Sequence, residues 1–451
     1  MKNNDKVRVR MTIRGGWMIL PMALLVTGCG GIGGKKGGPK TPVSGQRTSI
    51  LSGAEVVSAD DSISTIPVTV PEPVDNADWE QSGGNASKAF GHAALGAGTQ
   101  EVWRANIQGG TSRMRLASPP VVQAGKLYAI GTDATVSAFD AKTGQRLWAS
   151  SIKSKDDNGK VEFGGGVSVE GDRVYATSGI GDVAALNVAD GKVMWKVRPG
   201  GPLRGSPSLS NGNVYVMSQD NQLFALNETD GATLWTDGGT LEPTGVFGVA
   251  APSAGQGSVL AGYSSGELTA YRYENGRVLW GDALSKTSIS TSVSTLTDID
   301  ADPVIDRGRV FAIGEGGRMA SYELLSGQRL WELNIGGVAT PLVVGDWVFV
   351  VTDKARLFCI TRATGKVRWI SELPAWKKPK KKTGAIRWHG PILAGGKLVL
   401  VSTEGALVFA DPATGKTLSE REVGQGVSLP PIVADKMLYL LTDEGRIIAY
   451  R

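Results

Sequence analysis

The chain has 451 residues, 41% hydrophobic and 20% charged, with 62 Gly and 12 Trp but only two Cys and two His. That is ample material for a large core, and it excludes a disulfide-stapled framework or a metal centre made of several histidines. The formal net charge of +5 says nothing for nucleic acid: beyond the first 28 residues, 43 Lys and Arg face 42 Asp and Glu.

At the N-terminus, residues 1–14 carry five basic residues and one acid, and the apolar stretch GGWMILPMALLVTGCG follows. It is too short for a stable membrane-spanning helix and reads as an export signal. Its ending, Val26-Thr27-Gly28-Cys29, resembles the bacterial lipobox, which implies removal of residues 1–28 and lipidation of Cys29. An ordinary secretion signal with a chance cysteine is the alternative. Several acyl chains, as that resemblance implies, would anchor firmly where a single chain gives only marginal binding. Residues 29–75, rich in Gly, Pro, Ser and Thr, are predicted to be the lipidated cysteine and a flexible tether. About 45 flexible residues span roughly 35–40 Å.

Residues 76–451 carry a repeat. TGQRLW, DGKVMW, DGATLW, NGRVLW, SGQRLW and TGKVRW place Gly144, Gly191, Gly231, Gly276, Gly327 and Gly365 four residues before a Trp. A seventh copy, Gly415 to Ser419, has lost its Trp. Sixteen residues before each Gly stands an apolar marker: Tyr128, Tyr175, Tyr215, Leu260, Phe311, Phe349 and Val399. Each unit reads as four short strands, with the Gly at a turn that needs positive φ. Four-stranded repeats of about 40–50 residues predict a β-propeller, with a long solenoid as the alternative. The chain finishes in an incomplete repeat, MLYLLTDEGRIIAYR, while TQEVWRANI supplies a lone Trp strand at Trp103. The two fragments complete one another, predicting an all-β, eight-bladed ring closed by the N-terminal strand.

Within a repeat the spacing is rigid, whereas the gaps from each Trp to the next marker run from 18 to 31 residues. The variation falls in crossings from one blade's outer strand to the next blade's inner strand. All such crossings emerge on one face, and variable loops on a rigid scaffold are where binding usually lives. Residues 198–207, RPGGPLRGSP, put Leu203 and Arg204 on that face. Residues 284–303 put Asp298 and Asp300 there, a quarter turn away. Arg204 could fork onto carboxylate or carbonyl groups of a partner; solvated loop charges are the bland alternative. The lysine-rich run 377–382 reads as a solvated loop, or else as a contact for anionic lipid or an acidic partner. Cys359 stands where other blades have Ala or Ser and reads as a packing residue.

The motifs carry no catalytic chemistry. HExxH, P-loop and CxxC sequences are missing. DIDADP fails as a calcium loop because Pro303 and Arg309 stand where an EF-hand needs Gly and Glu. The repeat is similar to that of quinoprotein dehydrogenases, whose vicinal cysteines beside the cofactor this chain lacks. No cofactor and no metal are expected.

The lipobox, tether and eight Trp-type repeats together resemble the BamB family, the propeller lipoproteins of the bacterial β-barrel assembly (BAM) machinery. The resemblance implies a non-enzymatic scaffold at the periplasmic face of the outer membrane, partnered by a BamA-type insertase and other BAM subunits. It implies that Leu203-Arg204-Gly205 and the Asp298-Ile299-Asp300 loop contact the insertase's periplasmic domains. Gly201-Pro202 stand where the family has a further apolar residue. Gly30, in place of Asp, matches the pattern that sorts lipoproteins to the outer membrane. A quinoprotein-like enzyme and a general periplasmic binding module are the competing readings.

Overall fold

The structure, a computed structural model, describes residues 57–96, 100–111, 113–153, 164–241, 250–284 and 297–451. The signal sequence and Cys29 lie outside the described residues. Each repeat is a four-stranded antiparallel meander. In the first blade the strands are Val121–Gln123, Lys126–Ile130, Thr135–Asp140 and Arg146–Ser151, paired in that order. Seven blades are continuous in sequence. The eighth joins Ile432–Ala434, Met437–Leu441 and Arg446–Tyr450 to Glu101–Asn106, with Trp103 opposite Ala449. This is the eight-bladed propeller read from the repeats, closed by the strand carrying Trp103.

The burial pattern follows from the layering. Second and third strands are sandwiched between neighbouring blades and read as continuous apolar runs; Asn213–Met217 and Trp347–Val351 are buried throughout. Outer strands have one wet face, and those that carry a Trp alternate. In Thr233–Gly238 only Trp235 is buried.

The repeated Gly-x-x-x-Trp spacing is a clamp between blades. Each indole N–H donates to a backbone carbonyl of the next blade, at 2.7–3.2 Å across seven seams, beginning with Trp103 to Ala141 and ending with Trp369 to Pro412. The same indole lies over the next blade's turn glycine. A methyl group added to any of the seven glycines would stand 2.4–2.7 Å from the preceding blade's Trp ring, and all seven have φ between +69° and +76°. Glycine is required twice over there, by its dihedral and by the ring above it. The marker aromatics pack against their own blade's Trp: Tyr128 on Trp148, Tyr175 on Trp195 and Phe349 on Trp369, with centroids 5.9–6.0 Å apart.

The missing eighth Trp has a structural reason. An indole at Ser419 would clamp the eighth blade. That blade's third and outer strands, Arg446–Tyr450 and Glu101–Asn106, come from distant parts of the chain and share no hairpin turn. Four residues before Trp103, where the other repeats have their glycine, the sequence has Thr99. Arg421 lies over the Tyr450 ring instead, 5.0 Å from its centroid.

The sequence places residues 57–75 in the flexible connection, but the structure lays them along the ring. Asp60 N–H donates to Val367 O at 2.8 Å, its carboxylate pairs with Lys366 at 3.1 Å, and Arg368 donates to Ile66 O. Residues 76–96 then travel once around the inside of the channel. Asn76 bonds Val433 and Asp435 of the eighth blade, and Trp79 exchanges both backbone hydrogen bonds with Val122 of the first. Glu80 meets Val169, the Gln81 amide brackets Leu209, Ala86 meets Ala254 and Ser87 meets Ile305. His92–Ala93 pairs in parallel with Leu393–Ala394 of the seventh blade, and Gly96 returns to Lys436. Inner strands of a propeller expose an unpaired edge to the channel, and this belt satisfies it in most blades. His92 is used up structurally: Nε2 accepts from Gly396 N, so Nδ1 carries the proton it donates to Pro71 O at 2.7 Å.

Candidate functional site

The two ends of the channel differ in construction. The belt bonds to the inner strands close to their turns into the second strands, so it occupies the end opposite the crossings. The crossings form the other end. Three of the segments outside the described residues, 154–163, 242–249 and 285–296, fall in crossings.

The structure gathers Arg204, Asp298 and Asp300 into one electrostatic cluster, as the quarter-turn spacing implies, but turns them inward. Leu203 and Arg204 are 0% exposed, Asp298 1% and Asp300 6%. Leu203 bridges to Ser218 and belongs to the core between the second and third blades. Arg204 Nη1 donates to Gly262 O at 3.3 Å and Nη2 to Asn221 Oδ1 at 3.4 Å. Burial pulls its pKa down, and the carboxylates of Asp300 and Asp298 oppose that fall. Asp300 shows the reverse: burial pushes it up to about 7, Arg204 draws it back, and Asp298 and Glu315 push it further. The forked contact with a partner that the sequence suggested for Arg204 is therefore made inside the chain. Beside these residues the surface is offered by exposed Pro202 and by half-buried Gly201 and Thr297.

The belt makes the channel a blind cavity of about 780 Å³, open among the crossings. Trp79, Gly83, Lys88 and Phe90 of the belt line it, the two aromatic rings 4.6 Å apart. Lys88 is buried, donates to Ser208 Oγ at 3.0 Å, and is lowered to about 8 by burial, with Asp302 partly restoring it. Asp300, Glu315, Arg387 and His389 also line the cavity. Burial lowers His389 to about 4, assisted by Arg387, so its imidazole is neutral at physiological pH.

The belt was not among the residues read as functional from sequence, and of the cavity lining only Asp300 was. The available signal was a Trp outside the repeat, Trp79, followed by Gly83-Gly84 and two further large rings, Phe90 and His92. The lysine run forms an exposed hairpin, Trp376–Lys378 with Thr383–Ala385, on the crossing face, where Lys377 pairs with Glu404 at 2.6 Å. Cys359 is fully buried opposite Trp369, and burial raises its thiol pKa well above the ordinary range. It is a packing residue. Asp302 is spent on Ser82 Oγ and Ala251 N–H.

Comparison with known proteins agrees with the architecture. A family model described as outer membrane protein assembly factor BamB matches residues 36–155, 132–371 and 374–451. The outer membrane protein assembly factor BamB of Salmonella typhimurium strain LT2 is 31% identical over 356 residues, covering 77% of this chain and 88% of that one. The crystal structure of BamB from Moraxella catarrhalis superposes with a TM-score of 0.66 at 18% identity, covering 78% of this chain and 99% of that one. A quinohemoprotein alcohol dehydrogenase from Comamonas testosteroni superposes at 0.63 with 14% identity, over 83% of this chain and 80% of the enzyme. That last likeness is one of fold alone.

Proposed function

The chain belongs to the BamB family of outer membrane protein assembly factors, and from that premise we propose that it is a non-enzymatic scaffold docking by its crossing face on the periplasmic domains of a BamA-type insertase. The observation that carries the reading is the asymmetry of the ring: one end of the channel is belted, and the other presents loops shaped by a buried Arg204–Asp298–Asp300 cluster. In this reading those three residues and Leu203 are positioning residues. They hold the crossing backbone and Pro202 in the form that the partner meets. Residues 1–28 direct export, Cys29 carries the lipid anchor, and the stretch from there to about residue 56 is the tether that keeps the ring near the membrane. The dehydrogenase alternative is not favoured, because Cys29 and Cys359 cannot supply vicinal cysteines.

The test is affinity purification from membranes, with Arg204→Lys and Asp300→Asn beside the wild type. Arg204→Lys keeps the charge but loses the forked bonds to Gly262 and Asn221. The reading expects several-fold less insertase with each variant while the ring melts cooperatively as before. Undiminished recovery with both variants refutes the role of the cluster. A wild-type ring that brings down no insertase refutes the docking itself. For the anchor, Cys29→Ala is expected to leave the protein in the soluble periplasmic fraction; persistence in the membrane fraction contradicts lipidation there.

A further inference from the structure

We infer that the blind cavity is a binding site for a short extended polypeptide segment that presents a lysine or arginine beside an aromatic side chain. The inference rests on the assembly-factor reading, since that role brings unfolded chains to the ring. Three observations select the ligand. The floor is apolar, with Trp79 and Phe90 from the belt meeting Leu429 and Ile392. The walls are acid-rich: among the described residues Asp300, Asp302, Glu315, Asp443 and Glu444 line the cavity against the cations Lys88, Arg115 and Arg387, while Glu404 there is paired with Lys377. And polar atoms with unused bonding capacity converge on it. Asp300 Oδ1, Glu315 Oε2 and His389 Nε2 are buried without a hydrogen-bond partner among the described residues.

Two of these atoms are carboxyl oxygens; in the ionised form that a bound cation favours, they ask for a donor-rich cation rather than an anion or another carbonyl. An ammonium or guanidinium group meets that demand. An adjacent ring would lie on the aromatic floor, where stacking and cation–π contact add to the binding. At about 780 Å³ the cavity is within the range of sites that enclose a ligand of several side chains rather than a single ion. Because the belt closes the far end, the segment enters and leaves by the crossing face, the same face proposed for docking. A client chain held there stands beside the insertase.

The experiment uses the mature ring and fluorescence anisotropy with three probes: labelled acetyl-Ala-Lys-Phe-Tyr-Lys-Ala-amide, the same peptide with Glu for both Lys, and unlabelled phenethylamine as competitor. The inference expects the lysine peptide to bind at least tenfold more tightly than the glutamate peptide. Glu315→Gln should weaken it, and Glu315→Lys, which places a fixed cation in the site, should abolish it while the melting curve is unchanged. Equal binding of both peptides, or binding indifferent to Glu315→Lys, overturns the inference. So does no binding by a ring that melts normally. If phenethylamine binds but the lysine peptide does not, the site takes a free cation and the polypeptide assignment fails. Each of these failures leaves insertase co-purification untouched, so the docking reading stands or falls separately.

Discussion

The two ends of the channel obey opposite economies. At the belted end each inner-strand edge that the belt meets is bonded, each clamp has its glycine, and His92 uses both ring nitrogens. At the open end a guanidinium and two carboxyl groups are buried together, a carboxyl titrates near neutrality, and an imidazole nitrogen has no partner among the described residues. Charges are expensive to bury, and groups perturbed by burial and charged neighbours cluster at functional sites. The contrast teaches that stability is concentrated where the ring is sealed and is given up where it is proposed to meet partners.

Substitution at the sealed end sharpens this contrast most. Trp103→Ala removes the ring that closes the propeller and its bond to Ala141, and a cost of about 3–5 kcal/mol is expected in denaturant unfolding. Gly144→Ala attacks the same clamp from the other side. The double variant should cost far less than the sum, because both report one contact. Insertase binding by the folded fraction should be unchanged. A Trp103→Ala ring as stable as wild type breaks the comparison.

The open end should behave in the opposite sense. Asp300 is pushed up to about 7 by burial, so the folded chain keeps a proton that the unfolded chain releases between about pH 4 and 7. Stability attributable to this group therefore falls as pH rises through that window and is flat above it. Asp300→Asn removes the penalty. It is expected to be more stable than wild type at pH 8, by about 2–4 kcal/mol at most, with the advantage vanishing near pH 4. Arg204, Arg387, Asp298 and Glu315 face the group and are present in both proteins. Paired with weaker insertase recovery, the result would show stability exchanged for docking; a pH-independent difference would remove the electrostatic explanation. At the exposed hairpin, Lys381→Glu is expected to change stability by less than about 0.5 kcal/mol, which a thermal melt can check.

How much of this was legible varied with the kind of information needed. The ring, its eight blades and its closing strand were readable because a fixed period repeats the same packing problem at every seam, and Gly-x-x-x-Trp is its solution. Even the departure at Ser419 was visible, although its reason, a blade without a hairpin turn, required the pairing of Arg446–Tyr450 with Glu101–Asn106. The proximity of Arg204 to Asp298 and Asp300 followed from blade counting. Their burial did not, because loop conformation across a seam has no periodic signature. The belt was hidden for a related reason. Residues 57–96 are rich in polar and small residues, and their hydrogen bonds go to inner-strand edges far away in sequence, such as Leu209 for Gln81.

The most direct test is site-specific photo-crosslinking in intact cells, comparing a photoreactive residue at Pro202 on the crossing face with one at Lys142 on the belted face, both exposed. The account predicts a crosslink to the insertase from position 202 and none from position 142. Crosslinking from 142 alone would place the partner on the sealed end and contradict it.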